Sequence, residues 1–184
     1  MPWPASRSIP TARAGSAAPV PPPIADPTPA QTAPDLRAGA SLEPLPPVGD
    51  NPLLRCARPL LAVVPQIRGT LEHPDPASLK ESLSGGVRKF ENDAALAGVP
   101  REAIVAARYI LCTFLDETAA STPWGSGGVW AKETLRVRFH NEVWGGEKVF
   151  MLLSKLAENP DKNKDLLELI YYCLSLGFEG RYRV

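Results

Sequence analysis

The sequence is poor in the residues that most often carry catalysis or bind metals. Its 184 residues include two histidines, His73 and His140, and three cysteines. No His, Cys, Asp and Glu residues are grouped at the spacing of a metal site. Gly125, Gly127 and Gly128 form no phosphate-binding glycine pattern and follow no predicted strand. We therefore expect a protein that is not an enzyme, with no catalytic residue, metal or cofactor.

The three cysteines, Cys56, Cys112 and Cys173, are odd in number, far apart and each surrounded by apolar residues. This is typical of reduced thiols in helix cores, which indicates a cytosolic environment. A cysteine nucleophile would require Cys112 beside His140. Cys112 falls instead on the apolar stripe that contains Leu115, so we interpret it as a core residue.

The chain also lacks an excess of charge and a long hydrophobic run. Twenty basic residues cancel twenty acidic ones, so bulk charge gives no reason to expect binding to nucleic acid or to an anionic membrane. No stretch reaches the ~18 consecutive apolar residues of a membrane span. No apolar segment typical of a secretory signal follows the first arginine. We expect these 184 residues by themselves to be soluble.

Residues 1–50 differ in composition from the rest of the chain. Thirteen of the 21 prolines lie before Asn51, and the one aromatic residue of this segment is Trp3. Proline removes backbone donors and blocks helix and sheet, and the segment has too little apolar surface to offset its chain entropy. We predict a disordered, partly polyproline-II leader. The alternative is a proline-rich ligand for a partner's groove.

Residues 51–184 show apolar residues at helical spacing. Asn51 followed by Pro52 predicts a helix start, with Asn as the N-cap and proline at the first helical position. Pro59 and Pro65 lie within the apolar pattern that follows, so a kink or break is expected there.

A second start signal, Asp75 before Pro76, predicts a helix that ends at Gly98. Gly85 and Gly86 lie inside this segment and argue against one unbroken helix. Further helices are predicted to open at Pro100, to lie around Leu135, to start at Glu147, and to run from about Lys162 to Leu176. No segment alternates with period two. The predicted fold class is all-α, with about six helices in antiparallel bundle packing.

Asp116 and Glu117 lie in the last turn of the predicted third helix, where the helix dipole disfavours carboxylates. One interpretation is a solvated pair at a helix end. The other is an acidic patch in a cleft, held for a partner protein. Potential partners within the chain are the amides of the glycine-rich loop that follows, the Thr122 hydroxyl, Arg138 and His140.

Three of the four tryptophans, Trp124, Trp130 and Trp144, fall within 21 residues. Tryptophan in a glycine-rich loop often packs inward and fixes the loop. It is also the residue most enriched in interface hot spots. The cluster is therefore either a packing device or a docking surface.

Six blocks of sequence resemble the successive signatures of the DotU/TssL (IcmH) family of type VI secretion. Two are especially specific, His-x-x-x-Trp-Gly-Gly-Glu at 140–147 and Gly-Phe-Glu-Gly-Arg-Tyr at 177–182. Together the blocks span nearly all of residues 51–184, at positions 51–54, 106–117, 121–125, 139–148, 165–169 and 177–184.

The resemblance implies an all-helical cytoplasmic domain, a hook of two small antiparallel bundles around a cleft, on the cytoplasmic face of the bacterial inner membrane. It implies a structural and docking subunit that links the inner-membrane complex to the cytoplasmic baseplate. Its partners would be a large IcmF/TssM-like inner-membrane protein, baseplate proteins and a second copy in a homodimer. A related subunit stabilises a type IV secretion complex, and the family is not known for catalysis.

A C-terminal helix and a membrane anchor are expected from the resemblance after Val184, and we interpret the 184 residues as a truncated form. The alternative function is a helical adaptor or regulatory module that binds a partner through the proline-rich leader. The residues expected to bind partners are Asp116, Glu117, Trp124, Gly125, His140, Trp144, Glu147 and Glu179.

Overall fold

The computed structural model describes residues 49–126, 130, 132–142 and 146–182. The predicted leader lies almost wholly outside these residues, so its disorder stays a prediction. Within the described ranges the chain is helical and has no β-strand, which confirms the all-α fold class. In chain order the elements are α1 (Pro52–Ala62), α2 (Val64–Gly69), α3 (Pro76–Leu96), α4 (Arg101–Ala120), α5 (Leu135–His140), α6 (Gly146–Ala157), α7 (Lys164–Ser175) and a 3-10 helix (Gly180–Tyr182).

Helix α1 starts where the sequence predicted. The Asn51 side chain accepts a hydrogen bond from the Leu54 N–H at 2.9 Å, which satisfies one of the unpaired donors of the first turn. Pro59 lies inside α1, and the expected break falls at Val63, between the two prolines. Pro65 is in the first turn of α2, where a proline removes no needed donor.

Helix α3 is continuous through its two central glycines. It begins at the predicted cap, where the Asp75 carboxylate accepts from the Ser78 N–H at 2.9 Å. It ends before Gly98, whose φ of 78° is left-handed and favours glycine. A Cβ added to Gly86 would lie 2.8 Å from a methyl group of Leu60 in α1, so this glycine allows the two helices to approach closely. Gly86 therefore serves packing, and the expectation that the glycine pair breaks the helix is wrong.

Helix α4 is central in the fold, because it contacts α1, α2, α3, α5 and α7. Most of its length is buried, and the prediction that Cys112 is a core residue is confirmed. Burial raises the pKa of the Cys112 and Cys173 thiols, so the nucleophilic thiolate form is disfavoured at both. In the described ranges no helix combines the length and apolar character needed to cross a bilayer.

The last described elements pack onto this centre. Helix α7 contacts α1, α4 and α6, and α6 also contacts the 3-10 helix. We refer to residues 177–182 as the 177–182 turn. It begins with Gly177 at a φ of 89° and contains Phe178, which is buried in the core.

Candidate functional site

The Asp116 carboxylate binds the start of α5. Asp116 is only 3% exposed. Its Oδ1 accepts from the Leu135 N–H at 2.8 Å, and its Oδ2 accepts from the Arg136 N–H at 2.9 Å. These are first-turn amides, which have no partner within their own helix. The Nε of Arg136 lies 3.4 Å from the same Oδ2. Asp116 therefore positions α5 from the end of α4.

Burial is the largest influence on the Asp116 carboxyl, and it raises its pKa because a charge is poorly solvated in the interior. The two amides and the charge of Arg136 act in the opposite direction and stabilise the ionised form. The net direction is upward. Burial and the hydrogen bonds of Asp116 therefore act against each other, and burial has the larger influence.

The Glu117 carboxylate binds the 177–182 turn in the same way. Its two oxygens accept from the Glu179 and Gly180 N–H groups, each at 2.7 Å. The adjacent carboxylates of α4 therefore hold the starts of two separate segments. The cationic partners considered from the sequence lie elsewhere, because Arg138 pairs with Glu81 at 2.6 Å and with Glu133 at 2.9 Å.

Trp124 is partly buried and packs against the core. Its indole N–H donates to the Thr70 carbonyl at 3.0 Å. Its ring lies 5.2 Å from the His73 ring and 6.0 Å from the ring of Trp130, which is almost fully buried. These two tryptophans fix the loop after α4, while part of Trp124 stays on the surface. Trp144 lies outside the described residues.

Gly125 is required by a close backbone approach. A Cβ at this position would overlap the carbonyl oxygen of Ala119, which belongs to the last turn of α4. The Thr122 hydroxyl donates to the same carbonyl at 2.7 Å and accepts from the Gly125 N–H at 3.0 Å. The loop therefore folds back tightly on the helix that carries the two carboxylates.

His140 lies in a different environment, at the end of α5. The Arg108 guanidinium donates to its Nε2 at 3.2 Å, and its ring meets the Tyr109 ring edge-on at 5.1 Å. Burial, followed by the charge of Arg108, lowers the pKa of His140 to about 4. The imidazole is consequently neutral at neutral pH and acts as a hydrogen-bond acceptor.

Two neighbouring cavities meet at Glu117. One, of about 280 Å³, is lined by Glu117 and Glu179 together with Arg68, Ser121 and Gly177. The other, of about 260 Å³, is lined by residues that include Asp116, Glu117, Gly125 and Gly146. Glu147 follows Gly146 and is exposed at the start of α6.

The structure therefore brings Asp116, Glu117, Gly125 and Glu179 together, with Trp124 on the adjoining loop. Sequence reasoning missed two arginines that belong to this region, Arg68 and Arg136. Arg136 is distant in sequence from Asp116, and Arg68 from the Gly177 carbonyl to which it donates, so no local pattern identifies either arginine. Among the described residues, no group of three His, Cys, Asp or Glu side chains is arranged to hold a metal ion.

A family sequence model described as "Type VI secretion system protein DotU" matches residues 52–184. No curated protein sequence matches the chain. Solved structures are similar over most of the described chain. TssL from Vibrio cholerae is 38% identical with a TM-score of 0.67, and the match covers 74% of this chain and 84% of that one.

The cytoplasmic domain of TssL from Acinetobacter baumannii is 25% identical with a TM-score of 0.67, over 72% of this chain and 85% of that one. SciP/TssL from enteroaggregative Escherichia coli, at 23% identity and a TM-score of 0.65, covers 72% and 77% of the two chains and supports the fold. The family match spans the whole helical part, so the chain belongs to the DotU family of type VI secretion system proteins.

Proposed function

We propose that this chain is a structural and docking subunit of the type VI secretion membrane complex, without catalytic activity. In this role it joins a large IcmF/TssM-like inner-membrane protein and links that complex to the cytoplasmic baseplate. Family membership supports a place in the secretion machine. The raised pKa of the buried thiols and the neutral, partly buried His140 support a non-catalytic role, since neither is prepared for nucleophilic or acid–base chemistry.

One observation carries the proposed docking surface. Glu117 and Glu179 come from distant parts of the chain and line one open cavity, and the backbone around them is held by hydrogen bonds. A fixed acidic surface is suited to a basic patch of a partner, because its charges need little reorganisation on binding. We place two further residues in the docking surface: Trp124, which is partly buried on the loop that contains Gly125, and Glu147, which is exposed and follows Gly146 of the second cavity.

Two residues of the predicted partner-binding set are buried and support the docking surface without forming it. Asp116 and Gly125 are too enclosed to contact a partner extensively, and they support the surface by positioning α5 and the loop after α4. For His140, at the end of α5, and for Trp144, outside the described residues, a docking role is proposed on the resemblance alone.

Charge reversal tests this proposal. Glu179→Lys alters the surface, while the Glu179 backbone N–H that binds Glu117 is unchanged by the substitution. We expect binding to the baseplate proteins to weaken by about 1–3 kcal/mol, and more at low salt, where charges are least screened. The measurement is affinity for purified baseplate proteins at two salt concentrations.

Glu102→Lys is the matched control. Glu102 is an exposed glutamate in the first turn of the same helix as Glu117, about 22 Å away at 1.5 Å per residue. Its replacement should leave affinity unchanged. Equal loss in both variants, or no loss in Glu179→Lys, would show that docking occurs elsewhere.

A further inference from the structure

Charged side chains from two different helices form hydrogen bonds with the backbone of the 177–182 turn. Glu117, in α4, accepts from the Glu179 and Gly180 N–H groups. Arg68, in α2, donates from its guanidinium to the Gly177 carbonyl at 2.5 Å. Three backbone groups of one short turn are thus held by one anion and one cation.

The hydrogen bonds of Glu117 and of Arg68 to the turn border the same open cavity. Arg68 and Glu117 line the 280 Å³ cavity, and Gly177 and Glu179 of the turn complete its wall. The apolar anchor of the turn is separate, because Phe178 is buried against Phe114 and Phe150. A partner side chain that enters the cavity can therefore reach Glu117 and Arg68 without disturbing the core.

We propose that Arg68 and Glu117 form a releasable latch, and that a cationic partner side chain that engages Glu117 frees the polar end of the 177–182 turn. This rests on the proposed function in that Glu117 belongs to the docking surface. A guanidinium that pairs with Glu117 uses the same two oxygens that accept from the Glu179 and Gly180 amides, and it weakens those hydrogen bonds because it draws on the same negative charge. Hydrogen bonds to a charged group are strong, but in an open cavity water and ions can replace them. Docking at this surface would then be coupled to the conformation of a turn packed on α6.

The latch is tested first in the full chain without any partner. In Glu117→Gln one carboxamide oxygen remains as an acceptor, and the NH₂ group faces an amide donor. Amide hydrogen exchange measured by NMR should become on the order of tenfold faster at Glu179 and Gly180. Arg68→Met should accelerate the same amides. Exchange in α1 and α3 should be unchanged, which shows that the fold is intact.

Glu133→Gln is the matched control, because it also neutralises a carboxylate, but one that pairs with Arg138 and makes no contact with the turn. It should leave the exchange of Glu179 and Gly180 unchanged. Release is then tested with a tetra-arginine peptide at low salt, with tetraglycine as its control. The peptide should accelerate the two amides in the unaltered chain and have little further effect in Glu117→Gln.

Unchanged exchange of these amides in Glu117→Gln, or at any concentration of the arginine peptide, would overturn the latch. These measurements need no secretion protein. If the chain does not bind baseplate proteins but shows the expected exchange pattern, the latch is supported and the docking role is contradicted. If it binds baseplate proteins but the exchange of Glu179 and Gly180 does not change, docking is supported and the latch is contradicted.

Discussion

At the end of α4, two adjacent carboxylates lie at the partly negative end of their own helix, yet each accepts amide hydrogen bonds from another segment. Asp116 binds the start of α5, and Glu117 binds the 177–182 turn. The cost of their place in α4 is some tenths of a kcal/mol each. Hydrogen bonds to a charged acceptor contribute about 1.5–3 kcal/mol, so the favourable contacts exceed the unfavourable dipole.

We expect Asp116→Asn to destabilise the protein by about 1–3 kcal/mol, because the carboxamide NH₂ would face one of two amide donors and leave it without an acceptor. The substitution also removes the cost of a buried charge, which keeps the loss within this range. Urea denaturation measures the free energy of unfolding. Asp93→Asn, which removes an exposed pair with Lys89, is the control and should cost less than about 1 kcal/mol. Equal values for the two variants would contradict the positioning role.

His140 predicts a dependence of stability on pH. Its folded-state pKa of about 4 lies below the ordinary value of 6.5, so the unfolded chain takes up a proton in this range and the folded chain does not. The contribution of His140 to stability is therefore lost as pH falls from about 6.5 towards 4. His140 faces Arg108, Tyr109, Glu142 and Lys148, and Arg108 is the largest charge contribution.

In His140→Gln the loss of stability between pH 6.5 and 4 should be smaller than in the unaltered protein. The measurement is the midpoint of thermal unfolding at several pH values in this window. A His140→Gln profile that parallels the original would mean that carboxylates account for the acid sensitivity.

At the scale of elements, the 177–182 turn depends on an apolar contact as well as on its hydrogen bonds with Glu117 and Arg68. The Phe178 ring lies 5.8 Å from the Phe114 ring and stacks on Phe150 at 6.0 Å. Phe178 is therefore packed against the bundle, with 4% of its surface exposed. Tyr182, at the other end of the turn, touches Phe150 but is 62% exposed.

Phe178→Ala should destabilise the protein by about 3–5 kcal/mol, because it removes a buried aromatic ring and leaves a cavity between α4 and α6. Tyr182→Ala provides a contrast in the same turn and should cost under about 1 kcal/mol. Chemical denaturation of both variants gives the comparison. A loss below about 1 kcal/mol for Phe178→Ala would show that the turn is not anchored through this ring.

At the scale of the whole molecule, Asn51 connects α1 to α7. Its side-chain oxygen caps α1, and its NH₂ group donates to the Asp165 carbonyl at 3.0 Å and to Glu168 at 2.7 Å, both in α7. The contact joins residues 114 and 117 positions apart. A residue just before α1 therefore links the two ends of the described helical region.

Deletion of residues 1–48 should leave the melting temperature within a few degrees, because the predicted leader has too little apolar surface to contribute to a core. In the shortened chain, Asn51→Ala should still cost about 1–2 kcal/mol, since it removes the cap and the link to α7. Calorimetry of the two forms measures both effects. A large drop on deletion alone would mean that the leader folds onto the helical unit.

The amino-acid sequence by itself determined the features that depend on neighbours three or four residues away. These include the caps at Asn51 and Asp75, the helix stop before Gly98 and the apolar stripe that buries Cys112. Such features are readable because helix caps and helical periodicity are local. The resemblance added the family, which no local rule could supply.

Only the tertiary structure decided what the two acids of α4 do. The partners of Asp116 and Glu117 lie 19 to 63 residues further along the chain and are backbone amides, which carry no sequence signature. The same holds for Gly86, because the need for glycine there comes from the close approach of Leu60 in α1. A carboxylate disfavoured in its own helix gives no sign of which distant helix start it will bind, because packing alone brings the two together.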